Sequence, residues 1–161
     1  MDKPPEFHFR SLVFIQPRLK IPAGTKFHSE QAVQTFRQDS VLYSLHPHAH
    51  FRGKSASFVA KYPDGREEML LNIPNYDFNW QATYDLAKPL QVPAGTKIVY
   101  TQTFDNSVQN KANPDPTKTV TWGEQTWEEM VFGVIRYRNV VENHNDTAPL
   151  IDFSAIQQQR E

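Results

Sequence analysis

Along most of the chain, apolar and polar residues alternate in short runs cut by proline, glycine and asparagine, the period-two signature of strands that bury one face. FRSLVFI (9–15), QAVQTFRQ (31–38), VLYSLHPHAHFRG (41–53), SASFVAKYP (55–63) and EEMLLNIP (67–74) read this way. So do TYDLAKPLQV (83–92), TKIVYTQTFD (96–105) and WEEMVFGVIRYRNVV (127–141). TKTVTWGEQ offers no long apolar period of the helical kind, and the pattern predicts an all-β antiparallel domain. In YPDGRE (62–67) the Asp-Gly step tolerates the positive φ of a tight hairpin, so the runs on either side are expected to pair. IPAGTK (21–26) and VPAGTK (92–97) repeat one turn chemistry, in which proline presets the first turn position and glycine relaxes the exit. The flanks differ too much for a repeat protein, but a two-sheet Greek-key layout reuses such corners. The longest turn-rich stretch is FDNSVQNKANPDPTKTVTWGEQ (104–125), and long ordered loops in compact domains often carry function.

Composition narrows the partners. A chain of 161 residues fits a single domain spanning 1–161 with a core of its own. Its 17 basic and 18 acidic residues are mixed along the chain, which argues against nucleic acid or an anionic membrane as partner. Cysteine is absent, so disulfides, thiolate sites and cysteine catalysis are excluded, and histidine, methionine and carboxylates are the remaining metal ligands. The start, MDKPPEFHFR, has no apolar stretch suited to a signal peptide, and no later run suits a membrane span.

Three of the six histidines fall on alternate positions in LHPHAHFRG (45–53). On an extended strand His46, His48 and His50 share a face, with neighbours about 6–7 Å apart, close enough for two imidazoles to reach one ion. A solvent-facing polar edge has the same pattern. Pro47 cannot donate to a ladder, so this strand is expected at or near an edge, and His48 with His50 is the better-ordered pair. His28 is a further candidate ligand or supporting residue. A third histidine or a carboxylate would make a zinc site, whereas a thioether favours copper(I). Met69 sits in a strand that can bury it, and Met130 lies where the polar loop meets the last strand; spacing does not choose between packing and ligation for either.

HAHFRGK (48–54), DNS (105–107), NPDP (113–116) and WGEQTWEEM (122–130) together resemble the copper type II, ascorbate-dependent monooxygenases. The likeness is to the C-terminal copper domain found in peptidylglycine α-hydroxylating and dopamine β-monooxygenases and in bacterial relatives. It is strongest over about residues 12–140. The resemblance implies an antiparallel β-sandwich of jelly-roll type and a copper site with His48, His50 and Met130 as ligands. It further implies activation of dioxygen, reduction by ascorbate or a similar donor, hydroxylation of a substrate C–H bond, and an extracytoplasmic location. His46, His28, Gln125 and Asp105 are then candidates to hold the ligands or line the pocket. Glu129 ranks below them, because on a strand it points away from the face of Met130. For Asp105 and Asn106, turn chemistry is the simpler reading, and Trp80, Trp122 and Trp127 are expected in core or pocket wall.

Members that hydroxylate glycine-extended peptides hold the substrate carboxylate with an arginine two residues before the first histidine, and with an asparagine and a tyrosine after the methionine. The corresponding residues here are His46, Phe132 and Val134, which argues against that substrate. The family also pairs this domain with an N-terminal domain carrying a second copper, a natural partner domain or partner chain for this one. Two alternatives stand beside the monooxygenase reading. One is a copper-holding or accessory module without turnover. The other is a three-histidine zinc or cupin-like site at His46, His48 and His50, against which FRGKSASFVA lacks the glutamate expected after a cupin His-x-His.

Overall fold

The computed structural model describes residues 6–142 and the backbone of 151–152. Its strands are β1 (Arg10–Ile15), β2 (Lys20–Ile21), β3 (His28–Thr35), β4 (Ser40–His48), β5 (Gly53–Lys61) and β6 (Glu67–Ile73). β7 (Tyr84–Val92), β8 (Lys97–Phe104), β9 (Val120–Thr121), β10 (Phe132–Asn139) and β11 (Ile151–Asp152) follow. Among the described residues there is no helix, and so none long and apolar enough to cross a membrane.

The first sheet runs β11-β1-β10-β4-β7 and the second β3-β8-β5-β6, with β2 and β9 forming a two-stranded ribbon. Except for β11, which lies parallel to β1, every pairing is antiparallel. Counting only the long strands, the two sheets read first-eighth-third-sixth and second-seventh-fourth-fifth. That is the order of a jelly roll, two Greek keys folded face to face. The expected hairpin joins β5 to β6, and both PAGTK turns place their glycine at positive φ, 69° at Gly24 and 86° at Gly95.

The sheets meet through large side chains. Phe14 of β1 packs edge-on against Phe58 of β5, with centroids 5.6 Å apart, and Phe58 lies 4.5 Å from Tyr100 of β8. All three are fully buried, along with Leu42, Leu45, Ile98, Phe104 and Ile135. Burial of these side chains is the main favourable term holding the layers together.

Within β4 a bulge sets which residues face the core. Arg136 lies opposite Ser44 and Tyr137 opposite Leu42, so Tyr43 is the extra residue. Simple alternation from Leu42 would turn residues 44, 46 and 48 inward. The bulge shifts the phase, so Leu42 and Leu45 both enter the core and Ser44, His46 and His48 face outward.

Several boundaries differ from the periodic pattern. β4 ends at His48 rather than continuing to residue 53, because residues 51–52 turn the chain towards the second sheet. The last long strand begins at Phe132 rather than at residue 127, because the preceding segment is drawn into turns by side-chain contacts described below. Trp122 packs against the core, but Trp80 and Trp127 are 71% and 60% exposed, so neither is a core residue. Met69, in a strand that could have buried it, is exposed on β6, an edge strand of the second sheet.

At Gly133 of β10 the layers approach closely: a Cβ there would sit 3.0 Å from Phe58 Cζ and 3.1 Å from Tyr100 Cδ1. Both rings are locked in the core, so Gly133→Ala is expected to cost about 1–3 kcal/mol by overpacking. Urea unfolding checks this, and an unshifted midpoint would show that the layers have slack at this point.

Candidate metal centre

The histidine pair sits where β4 leaves the first sheet. His48 is the last ladder residue, opposite Phe132, and its ring meets the Phe132 ring edge-on at 5.8 Å. His50 lies just beyond the strand and is 4% exposed. The two imidazole centroids are 5.1 Å apart with planes at 85°. Two imidazoles bound through nitrogen at about 2 Å to one tetrahedral ion have centroids about 5 Å apart, so the spacing fits a shared metal.

The hydrogen bonds settle which ring nitrogen is available. Gln81 donates its Nε2 to the Phe78 carbonyl at 2.9 Å, which turns its Oε1 towards His48 Nδ1. An acceptor oxygen there requires His48 Nδ1 to carry the proton, leaving a lone pair on Nε2. His50 Nδ1 likewise faces the Glu128 carbonyl at 3.3 Å, so its Nε2 is also unprotonated in the neutral ring. Burial lowers the pKa of both rings, more than the Gln81 and Glu128 contacts raise them. Both are therefore held as neutral imidazoles with one free nitrogen, the form a metal requires.

Backbone positions around the pair are fixed from both sides. Tyr76 Oη accepts from Ala49 N and donates to Ala49 O, each at 3.0 Å, clamping the residue between the histidines. Gly53 makes room for that ring, since a Cβ there would lie 2.7 Å from Tyr76 Cδ1. On the other side, Glu129 is fully buried and accepts His50 N at 2.8 Å through Oε2 and Arg52 N at 2.6 Å through Oε1. Arg52, also buried, donates Nε to Asn106 Oδ1 at 2.9 Å and Nη1 to the Trp127 carbonyl at 2.9 Å. Asn106 in turn donates to the Pro22 and Lys118 carbonyls at 3.0 and 2.9 Å. One chain of polar contacts thus ties the histidine turn to the long loop and to the segment before β10.

Met130 lies in that segment, half-buried, one residue after Glu129. The β4–β10 ladder ends at the His48–Phe132 pair, so Met130 lies two residues outside it, in the same stretch as Glu128 and Glu129. The contacts of His50 with Glu128 and Glu129 bring the same stretch of chain to the ring.

The other candidates lie elsewhere. His46 pairs with Val134 one row down the sheet, and its Nδ1 is 3.3 Å from both the Ala82 carbonyl and Thr83 Oγ1. His28 opens β3 in the second sheet and bonds Glu30 Oε1 at 2.8 Å. Asp105 Oδ1 accepts Ser107 N and Oγ at 3.0 and 2.6 Å, and Oδ2 pairs with Lys54 at 3.1 Å, which is turn chemistry. Gln125, by contrast, adjoins the pair: its side chain is exposed, but its carbonyl accepts Glu128 N at 2.9 Å and, with the Glu128 carbonyl, is a backbone hydrogen-bond partner of the His50 ring. Among the described residues no three His, Asp or Glu side chains gather into a metal cluster. Glu129 is the residue that strand periodicity misplaces: on a strand it would point away, but the turn folds it inward. Gln81 and Tyr76 carry no local signal, since each reaches the histidines from a loop about 30 residues away in sequence.

Burial pushes the Glu129 carboxyl up to about 7, against the pull of the Arg52 and His50 amides and the Arg52 charge. Because the folded state holds this proton more tightly than an unfolded carboxyl does, its contribution is complete below the ordinary carboxylate pKa and is lost as pH rises towards 7. The difference is worth about 3 kcal/mol. Glu129→Gln removes the titration and sets an amide NH2 against a backbone N–H. Wild type should therefore exceed the variant most in stability near pH 5, with the gap narrowing by pH 8. Denaturant melts across that range check it, and a gap that widens with pH would mean that the ionised carboxylate is the stabilising form.

No protein-family model and no curated protein matches the chain, so its chemistry has to be read from these side chains.

Proposed function

We propose that the chain is the copper-binding, oxygen-activating domain of a copper- and ascorbate-dependent monooxygenase, with His48, His50 and Met130 as ligands. The observation that carries this reading is the pair of neutral imidazoles, each with Nδ1 on an acceptor oxygen and Nε2 free, at the spacing of a shared ion. The choice of metal rests on Met130, which belongs to the segment whose Glu128 and Glu129 contact His50: a soft sulfur with two imidazoles would favour copper(I) over zinc. Copper held there would supply the redox chemistry with dioxygen. The protein's own part is to keep both rings neutral, fix their orientation through Gln81 and Glu128, and hold the Met130 segment in place through Glu129 and Arg52. Reductant and any second copper come from a partner domain or an external donor such as ascorbate.

Copper(I) titration against a chromophoric competitor tests the site. Met130→Ala and His48→Ala should each weaken binding, and Gln81→Ala should cost about 10–100-fold by releasing the His48 tautomer. Affinity should stay level as pH falls to the ordinary histidine pKa and decline only below it, since burial delays protonation of both rings. Unchanged affinity in Met130→Ala would remove the thioether, and loss of binding in His46→Ala alone would favour a three-histidine site. Ascorbate-driven oxygen uptake by the copper-loaded chain then separates an active domain from a copper-holding module.

A further inference from the structure

Next to the histidine pair, the outward face of the first sheet carries a cavity of about 260 Å³ lined by Ser11, Ser44, His46, Thr83, Val134 and Arg136. The strand registers account for its shape. Arg136 lies opposite Ser44 on β4 and Ser11 on β1, so a cation is flanked by two hydroxyls in one row. The next row towards the pair is Val134 with His46, and the one after is Phe132 with His48. A molecule laid along this face meets a cation and hydroxyls, then Val134 beside the His46 ring, then Phe132 beside His48. Ser44 and His48 are separated by four strand positions, about 13 Å.

Arg136 is exposed and, among the described residues, has no hydrogen-bond or ion-pair partner. Arg138, two positions on, is by contrast engaged with the Tyr43 hydroxyl at 2.9 Å. An unengaged guanidinium at the end of a hydroxyl-lined cavity is a receptor for a planar anion, which it can bind through two parallel N–H donors. The charge balance selects one negative charge. Arg136 is the one arginine or lysine lining the cavity, and Asp85 lies on the other side of Ser44 in the same row, where it opposes a dianion.

Resting on the copper reading above, we propose that this cavity seats the singly charged carboxylate end of an elongated, otherwise apolar substrate, whose distal C–H bonds lie at the histidine pair. The substrate class is thus an amphipathic monocarboxylate long enough to bridge Arg136 and His48.

The test uses the full chain and decanoate, with decanol and decyl phosphate as comparison probes, followed by calorimetry or amide shifts. The metal-free chain should bind decanoate, and Arg136→Gln should weaken it about tenfold or more, as expected for loss of a charged hydrogen-bond pair. Arg136→Lys should recover part of that loss. Decanol binding should be the same in all three proteins, and copper(I) uptake should be unchanged in Arg136→Gln. With copper(II) bound, the methyl-end protons of decanoate should broaden before those beside the carboxylate. Equal decanoate affinity in wild type and Arg136→Gln, tighter binding of decyl phosphate, or the reverse order of broadening would each overturn the assignment. Failure of the copper site itself would appear separately, as copper affinity that His48→Ala leaves unchanged, while the metal-free titrations still decide the cavity.

Discussion

The arrangement of the candidate site depends on one buried carboxylate. Glu129 brings no charge to the surface and no atom to the proposed metal, yet its two oxygens hold the backbone amides of His50 and Arg52. Without that acceptor, two amides at the turn between the sheets lose their partner, and the segment that carries Met130 loses its anchor. Burying a carboxyl group is costly unless its oxygens are satisfied, and even with both satisfied, burial here favours the protonated form. Here the satisfaction comes from the turn whose position matters, so the energetic requirement of the core and the geometric requirement of the site coincide.

From this anchor the contacts run outward in two directions. Arg52 carries them to Asn106 and so to the long loop, which explains why a polar stretch of chain is ordered against the sandwich. Tyr76 and Gln81 approach from the opposite side and fix Ala49 and the His48 ring. The bulge at Tyr43 is the remaining condition, since it alone turns the histidine row away from the core and onto an accessible face. The His46 and His48 rings, Val134, Phe132 and the Arg136 cavity then share one face of the first sheet, as the proposed site would need in order to act on a bound molecule rather than only hold an ion.

Much of the fold could be read from period-two patterning and turn chemistry. The eight long strands, the Asp-Gly hairpin and the two PAGTK corners are local features, and the jelly-roll order follows the expectation drawn from the motif likeness. The histidine pair was also visible, because a His-x-His on a strand is a local arrangement. What local pattern could not reach were the long-range partners. Strand alternation placed Glu129 on the wrong face because the turn before β10 is made by tertiary contacts, and those contacts come from residues 77–79 positions earlier. Gln81 and Tyr76 sit in an irregular loop with no motif, and Trp80 and Trp127 look like core residues by type but are exposed by position.

The proposed site joins two imidazoles and one thioether on a single copper(I) ion, and X-ray absorption at the copper edge of the copper(I)-loaded chain would count those ligands. Two imidazole nitrogens and one sulfur scatterer are expected in wild type, with the sulfur absent in Met130→Ala and both imidazoles retained. A wild-type spectrum with nitrogen and oxygen ligands only, unchanged by that substitution, would contradict it.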